Sequence, residues 1–258
     1  FGGQKKKRTA FAQSDTGKQI MTAMIDAVRR KEAFGMVERF SHHSFLTLRL
    51  CGNICCGCVI RDEYSQETVE LPGDAVIVAT GGMHGLFGNT TGSLSNTGEV
   101  TAELFRLGVP LANGEMIQYH PTTVKCGGKR MLISEAARGE GGRLFAMKDG
   151  KQWYFMEEKY PELGNLMPRD ITAREIWKVS HESEVFLDMT EISEEIISNK
   201  LSGLADDCMT YLHKDIRKEP VSVLPGIHYF MGGILVDEQH RTPIQNLYAA
   251  GECCAQYH

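Results

Sequence analysis

The sequence predicts an α/β fold (an α+β cap on a mixed sheet), in which the sheet domain is interrupted by an inserted capping domain. Three observations predict it. "AVIVATGG", residues 75–82, is a continuous apolar run ending in Thr80-Gly81-Gly82, the pattern of a strand covered on both faces in a parallel or mixed sheet. "IQNLYAAGE", residues 244–252, repeats that logic with a short apolar strand running into Gly251-Glu252. Between them, from about Met116 to Pro225, the texture changes to polar turns, several helices and few long strands. One sheet domain on both sides of a different middle section is an insertion. The expected boundaries are 1–118 and 227–258 for the sheet domain and 119–226 for the insert.

The elements follow in order. Lys5-Lys6-Lys7-Arg8 reads as a solvated loop. "DTGKQIMTAMIDAVRRKE", residues 15–32, starts with a capping Asp and Thr and places apolar residues at 20, 21, 24, 25 and 28, which is helical spacing. "FLTLRL" and "CCGCVIR" flank Gly52-Asn53 and read as strand, turn and strand, with "ETVEL" as a further strand. "TGEVTAELFRLGVPLA" is a helix ended by Gly108 and Pro110. "ISEEIISNKLSGLADDCMTYLHK" is helical with a break expected near Gly203.

Composition narrows the function. The 258 residues are 42% hydrophobic and 24% charged, as in an ordinary water-soluble protein. A net charge of −5 gives no positive field for nucleic acid or anionic lipid. No membrane span is expected, because the longest uncharged run, Ala75 to Gly98, is broken by Gly, Asn and Thr. No signal peptide is visible, and the first residue is Phe rather than Met, so a natural start upstream is expected. The eight cysteines include the cluster "CGNICCGC", but no second CxxC or His pair stands at zinc spacing. They are read as structural thiols of a reducing compartment, with no metal site. No strand is followed by G-x-G-x-x-G, so the sequence carries no dinucleotide fingerprint of its own.

One stretch concentrates polar chemistry. "MLISEAARGEGGRLF", residues 131–145, holds Ser134, Glu135 and Arg138 among glycines. Glu135 and Arg138, three apart, share a face if the segment is helical. His120 in "QYHPTT", Arg169 in "MPRDI" and His228 in "GIHYFMGG" keep similar company. Each has a plain alternative: a turn residue, a helix-start ion pair, a satisfied core histidine. Jointly, histidines, a hydroxyl and arginines are the donors that a small dicarboxylate needs, since ionised carboxylates only accept hydrogen bonds. Gly127-Gly128 and Gly232-Gly233 would let backbone approach a ligand.

The ordered set "IQYHPT", "ISEAARGEGG", "NLMPRDITAR", "IHYFMGGI" and "NLYAAGE" resembles the flavoprotein subunits of fumarate reductase and succinate dehydrogenase, a superfamily that includes L-aspartate oxidase. "FGGQKKKRTAFAQSDTGK", "VATGGMHGLFGNTTGSLSNTGE" and "RLGVPLANGEM" match the same family in the same order, so the resemblance spans essentially the whole chain. It implies FAD as cofactor and fumarate or succinate as substrate, with hydride transfer at flavin N5. It implies that His120 and Ser134 bind one substrate carboxylate and His228 the other. Arg169 would be the proton donor and acceptor, fed through Glu135 and Arg138. Ala79, Thr80 and Gly81 would line the cofactor, Glu99 would lie near it, and Glu252 would hydrogen-bond its ribitol. The implied partners are an iron–sulfur subunit and, through it, a membrane anchor, which places the protein in the cytoplasm or peripherally on the inner face of the membrane.

The pattern has departures. Ser134 stands where Thr is common, and Glu99-Val100 where Asp-Gly is usual. The family's diphosphate-binding fingerprint, its flavin-attachment histidine and a second substrate arginine have no counterpart here. The chain therefore reads as an interior piece that alone binds FAD weakly and is inactive. L-aspartate oxidase, suggested by "VDEQHRTPIQNLYAAGE", and a non-catalytic dicarboxylate-binding module are the alternatives.

Overall fold

A computed structural model describes Ala10, Ala12 and residues 16–255 of the chain. The basic run at residues 5–8 and the expected cap Asp15 lie outside the described residues. The chain divides into two compact units, one formed by Tyr119–Gly226 with the segment ending at Val37, the other by Glu38–Gln118 with the segment from Ile227 onward.

The first helix, α1 (Thr16–Ala33), forms as its periodicity predicts, and Thr16 Oγ1 accepts the backbone N–H of Ala12 at 2.9 Å. None of its residues is buried, and Ile20, Met21, Met24 and Val28 are exposed.

The second unit opens with β1 (His43–Cys51), β2 (Ile54–Asp62) and β3 (Thr68–Pro72), an antiparallel meander turning at Gly52-Asn53. Its cysteines carry no metal cluster among the described residues and are free thiols. Next come β4 (Val76–Val78), the short α2 (His84–Phe87), α3 (Glu99–Arg106) and β5 (Leu111–Ala112). Leu107 ends α3 and Gly108 follows with φ +92°, as expected from the sequence.

The insert is richer in strands than its texture suggests. β6 (Ile117–Cys126) and β7 (Lys129–Leu132) form a hairpin, so Gly127-Gly128 is its turn rather than a ligand approach. Then follow α4 (Glu135–Gly139), β8 (Arg143–Lys148), β9 (Lys151–Trp153), α5 (Phe155–Lys159), α6 (Arg169–Ser180), β10 (Val185–Asp188), α7 (Glu194–Lys200), α8 (Ser202–Leu212) and β11 (Val221–Ser222). Strands β11-β10-β8-β9 make one four-stranded sheet. The helical break falls at Leu201, which is fully buried, and Gly203 sits inside α8.

The core of this unit packs Leu144 and Ala146 of β8, Leu187 of β10, Ile176 of α6, Met156 of α5 and Ile197 of α7. α6 reaches it through Thr172, Ala173, Glu175 and Ile176, one helical stripe. Arg143 begins β8, an interior strand of the four-stranded sheet. It donates from Nε and Nη2 to the two oxygens of Glu157 at 2.8 and 2.7 Å and lies 3.7 Å above the Tyr154 ring.

The last segment returns to the second unit. β12 (Leu224–Phe230) begins beside β6, where Leu224 O accepts the Thr123 hydroxyl at 2.7 Å. β13 (Gly233–Ile234) pairs with β5, and β14 (Leu247–Ala249) pairs in parallel with β4. Gly232 and Gly233 are spent on this packing: an added Cβ would strike the carbonyls of Asn113 and Cys253. The core here is Val78, Leu104, Val109, Ile234, Leu247 and Ala249 with neighbours. β4 is shorter than its apolar run. Among the described residues it has one sheet neighbour, and Ile77 is 67% exposed, so the expectation of cover on both faces fails there.

Leu187 is fully buried, and Leu187→Ala is expected to destabilise the chain by about 2–5 kcal/mol, read as a lowered urea midpoint. Arg143 holds the Glu157 carboxyl below its ordinary value, with burial opposing. Because the folded value lies below the unfolded one, that contribution is present at neutral pH and fades as pH falls through the depressed carboxylate range. Glu157→Gln is expected to flatten the acid limb of the stability–pH curve, and an unchanged limb would remove the pair from the account.

Candidate active site

Within the unit containing residues 119–226, three of the sequence-predicted residues meet. Ser134 caps α4, its hydroxyl accepting the N–H of Ala136 at 3.2 Å, and so starts the short helix that carries Glu135 and Arg138. Their spacing places them on one face, and Arg138 Nη2 lies 3.5 Å from Glu135 Oε1. Arg169, the first residue of α6, supplies Nε and Nη2 to Glu135 Oε2, each at 3.1 Å. One carboxylate therefore joins two arginines from two helices, one oxygen to each.

The two arginines differ in setting. The Arg138 side chain is wholly buried and donates from Nη1 to the Asn165 carbonyl at 2.6 Å; that of Arg169 is 31% exposed. Burial pulls the Arg138 guanidinium below its ordinary value; Glu135 opposes this and Arg169 adds to it. The glycines after α4 serve the backbone: Gly142 N–H returns to Ala137 O at 2.8 Å, and an added Cβ at Gly142 would press on that carbonyl. His120 lies on β6, fully buried, with Nδ1 3.3 Å from the N–H of Thr122 and 3.1 Å from the Thr122 carbonyl.

The remaining predicted residues lie in the other unit. β4 and β14 run parallel, and both end at a glycine of positive φ, Gly81 (+75°) and Gly251 (+78°). These turns leave Ala79 and Thr80 exposed at the carboxyl ends of the strands, where open α/β sheets bind their ligands. Glu252 follows Gly251. Its Oε1 accepts the N–H of Phe230 at 2.9 Å and lies 3.1 Å from His84 Nε2, whereas Oε2 makes no hydrogen bond among the described residues. Exposed main chain and a carboxylate oxygen left to accept from hydroxyls suit a flavin's polyhydroxylated chain. Glu99 opens α3 just after Gly98 and is exposed. His228, half-buried on β12, has Nδ1 2.8 Å from the Thr91 hydroxyl. His84, Thr90 and Thr91 escaped the sequence reasoning, although His84 shares the glycine-rich company by which the other polar residues were found.

A parallel pair opening glycine turns at its carboxyl ends, beside an inserted unit, suits a protein that binds a nucleotide cofactor. The family model for the FAD binding domain matches residues 1–258. The chain belongs to that family, and its cofactor is FAD. It is 41% identical over its whole length to the succinate dehydrogenase flavoprotein subunit of Bacillus subtilis and 32% identical over 97% of its length to an L-aspartate oxidase of Clostridium perfringens. Among solved structures it matches a quinol fumarate reductase of E. coli with a TM-score of 0.88, at 30% identity, over 99% of this chain. It covers 46% of both the Bacillus subunit and that structure, so the chain spans about half the length of these relatives. No helix among the described residues is long and apolar enough to cross a membrane.

Glu135→Gln leaves the Arg138 guanidinium buried against a neutral amide, expected to cost about 3 kcal/mol or more. Combining it with Arg138→Met is expected to recover much of that loss in urea unfolding. A double variant no better than Glu135→Gln alone would mean the pair is not coupled.

Proposed function

We propose that this chain is the substrate-handling part of a flavoprotein that interconverts fumarate and succinate. The Arg169–Glu135–Arg138 cluster carries the reading. Arg169, at its more exposed end, is the proton donor and acceptor at the substrate carbon. Glu135 returns a proton to Arg169, and Arg138 replaces the one that Glu135 gives up. An ordinary arginine, with a pKa above about 12, is a poor acid. The shared carboxylate removes that obstacle, because each transfer coincides with a replacement. Burial of Arg138 helps by making its charged form costlier to hold.

The other residues hold the substrate. Ser134 accepts a backbone N–H to cap its helix, which leaves its own proton to donate to a carboxylate. His120, held on β6 by its contacts with the Thr122 main chain, shares that carboxylate. His228 binds the second carboxylate, with Thr91 orienting its ring. Clamping both ends supplies orientation and electrostatic preorganisation. Ala79, Thr80, Gly81, Glu99 and Glu252 face the cofactor. When bound, the flavin supplies hydride transfer. Electrons would pass through an iron–sulfur subunit, a partner suggested by relatives named as flavoprotein subunits. Oxidation of L-aspartate is the second reading, favoured by the 32% identity to L-aspartate oxidase.

The test uses a chain extended to the length of its relatives. It is expected to hold FAD and reduce fumarate with a reduced dye, and Arg169→Ala to keep FAD while lowering kcat by about 10²–10⁴-fold. Normal turnover by Arg169→Ala would overturn the assignment, and aspartate oxidation without fumarate reduction would select the second reading.

A further inference from the structure

Glu252 is held by a side chain that nothing above gives a role. His84, 6% exposed, begins α2 and sits edge-on to Phe230, ring centroids 5.1 Å apart. Its Nε2 lies 3.1 Å from Glu252 Oε1 and its Nδ1 2.6 Å from the Thr90 hydroxyl. Room for the pair comes from two glycines: an added Cβ at Gly92 would strike the imidazole, and one at Gly82 the Glu252 carboxylate.

Counting protons assigns the roles. The buried Thr90 hydroxyl accepts the N–H of Gly92 at 3.1 Å and has one proton to give. Its two acceptors are Nδ1 at 2.6 Å and the Ile227 carbonyl at 3.1 Å. That carbonyl is already supplied by the Thr91 N–H at 2.9 Å. Nε2 faces a carboxylate oxygen that only accepts, so the ring proton sits on Nε2, and Nδ1 is left to take the Thr90 hydroxyl proton, for which it is the nearer of the two acceptors.

We propose that His84 is the positioning residue of the flavin site: Thr90 fixes its Nε2–H tautomer, and that N–H, with the N–H of Phe230, holds Glu252 Oε1 so that Oε2 is left to accept from the flavin. This rests on the reading of Glu252 as a flavin contact.

The test measures FAD affinity of the full-length apoprotein by flavin fluorescence, together with the ¹⁵N shifts of the His84 ring. Loss of a hydrogen bond to a charged group predicts FAD binding weaker by on the order of tenfold to a hundredfold in His84→Ala. His84→Gln, which keeps a donor at the Nε2 position, is expected to restore most of it. The wild-type ring is expected to show the Nε2–H tautomer, and Thr90→Val to turn that signature into a mixture. A ring protonated on Nδ1 alone would overturn the proposal. So would a His84→Gln loss equal to that of His84→Ala, since the ring would then act by packing. If Glu252→Ala weakens FAD binding and His84→Ala does not, this inference fails and the flavin role of Glu252 stands. If neither does, that role falls as well.

Discussion

A guanidinium taken out of water is costly unless its charge is answered by an opposite charge. Burying Arg138 is the constraint on which its unit is arranged. Glu135 answers the charge from the preceding turn of α4, and the Asn165 carbonyl from beyond α5 answers Nη1, while Nε and Nη2 make no hydrogen bond among the described residues. Arg169 takes the carboxylate's other oxygen, which ties the first turn of α6 to α4. Asn165 in turn spends its side chain on Leu144 N and on Glu157, the residue that holds Arg143. A cluster read as a proton path is thus also the brace between the helices and the sheet.

The second unit solves a different problem with similar means. As a proposed flavin contact, Glu252 must keep one oxygen available while the other is fixed. The fixing donors come from β12 and from His84, not from the turn that carries Glu252. Precision at this point therefore depends on residues far apart in the chain, gathered at the carboxyl ends of two parallel strands.

What could be read from the sequence follows from how local each cause is. The helix over residues 16–33 and the β1–β2 hairpin formed where their periodicity and the Gly52-Asn53 turn place them. The pairing of Glu135 with Arg138 was legible because three-residue spacing on a helix is a local fact. Strands β8 and β10 were not. Each is a short apolar segment, four residues in the case of β10, that becomes a strand only because a neighbour supplies its hydrogen bonds. The glycine pairs misled for a related reason. Gly127-Gly128 turns a hairpin and Gly232-Gly233 admits other backbone, and both uses depend on partners the local sequence does not name. His84 was passed over because its partners are Thr90 and Glu252, the latter at the other end of the chain.

The sharing of Glu135 has one more consequence. Two guanidinium groups meet a single carboxylate, and the Arg138 end of the cluster is withdrawn from water. Guanidinium groups attract small anions, and bulk salt screens them less where they are not fully solvated. On the proposed reading, sulfate, phosphate and chloride would compete with the dicarboxylate by charge. The choice of buffer is part of the chemistry of this site, and an apparent affinity has meaning only alongside the anions that were present when it was measured.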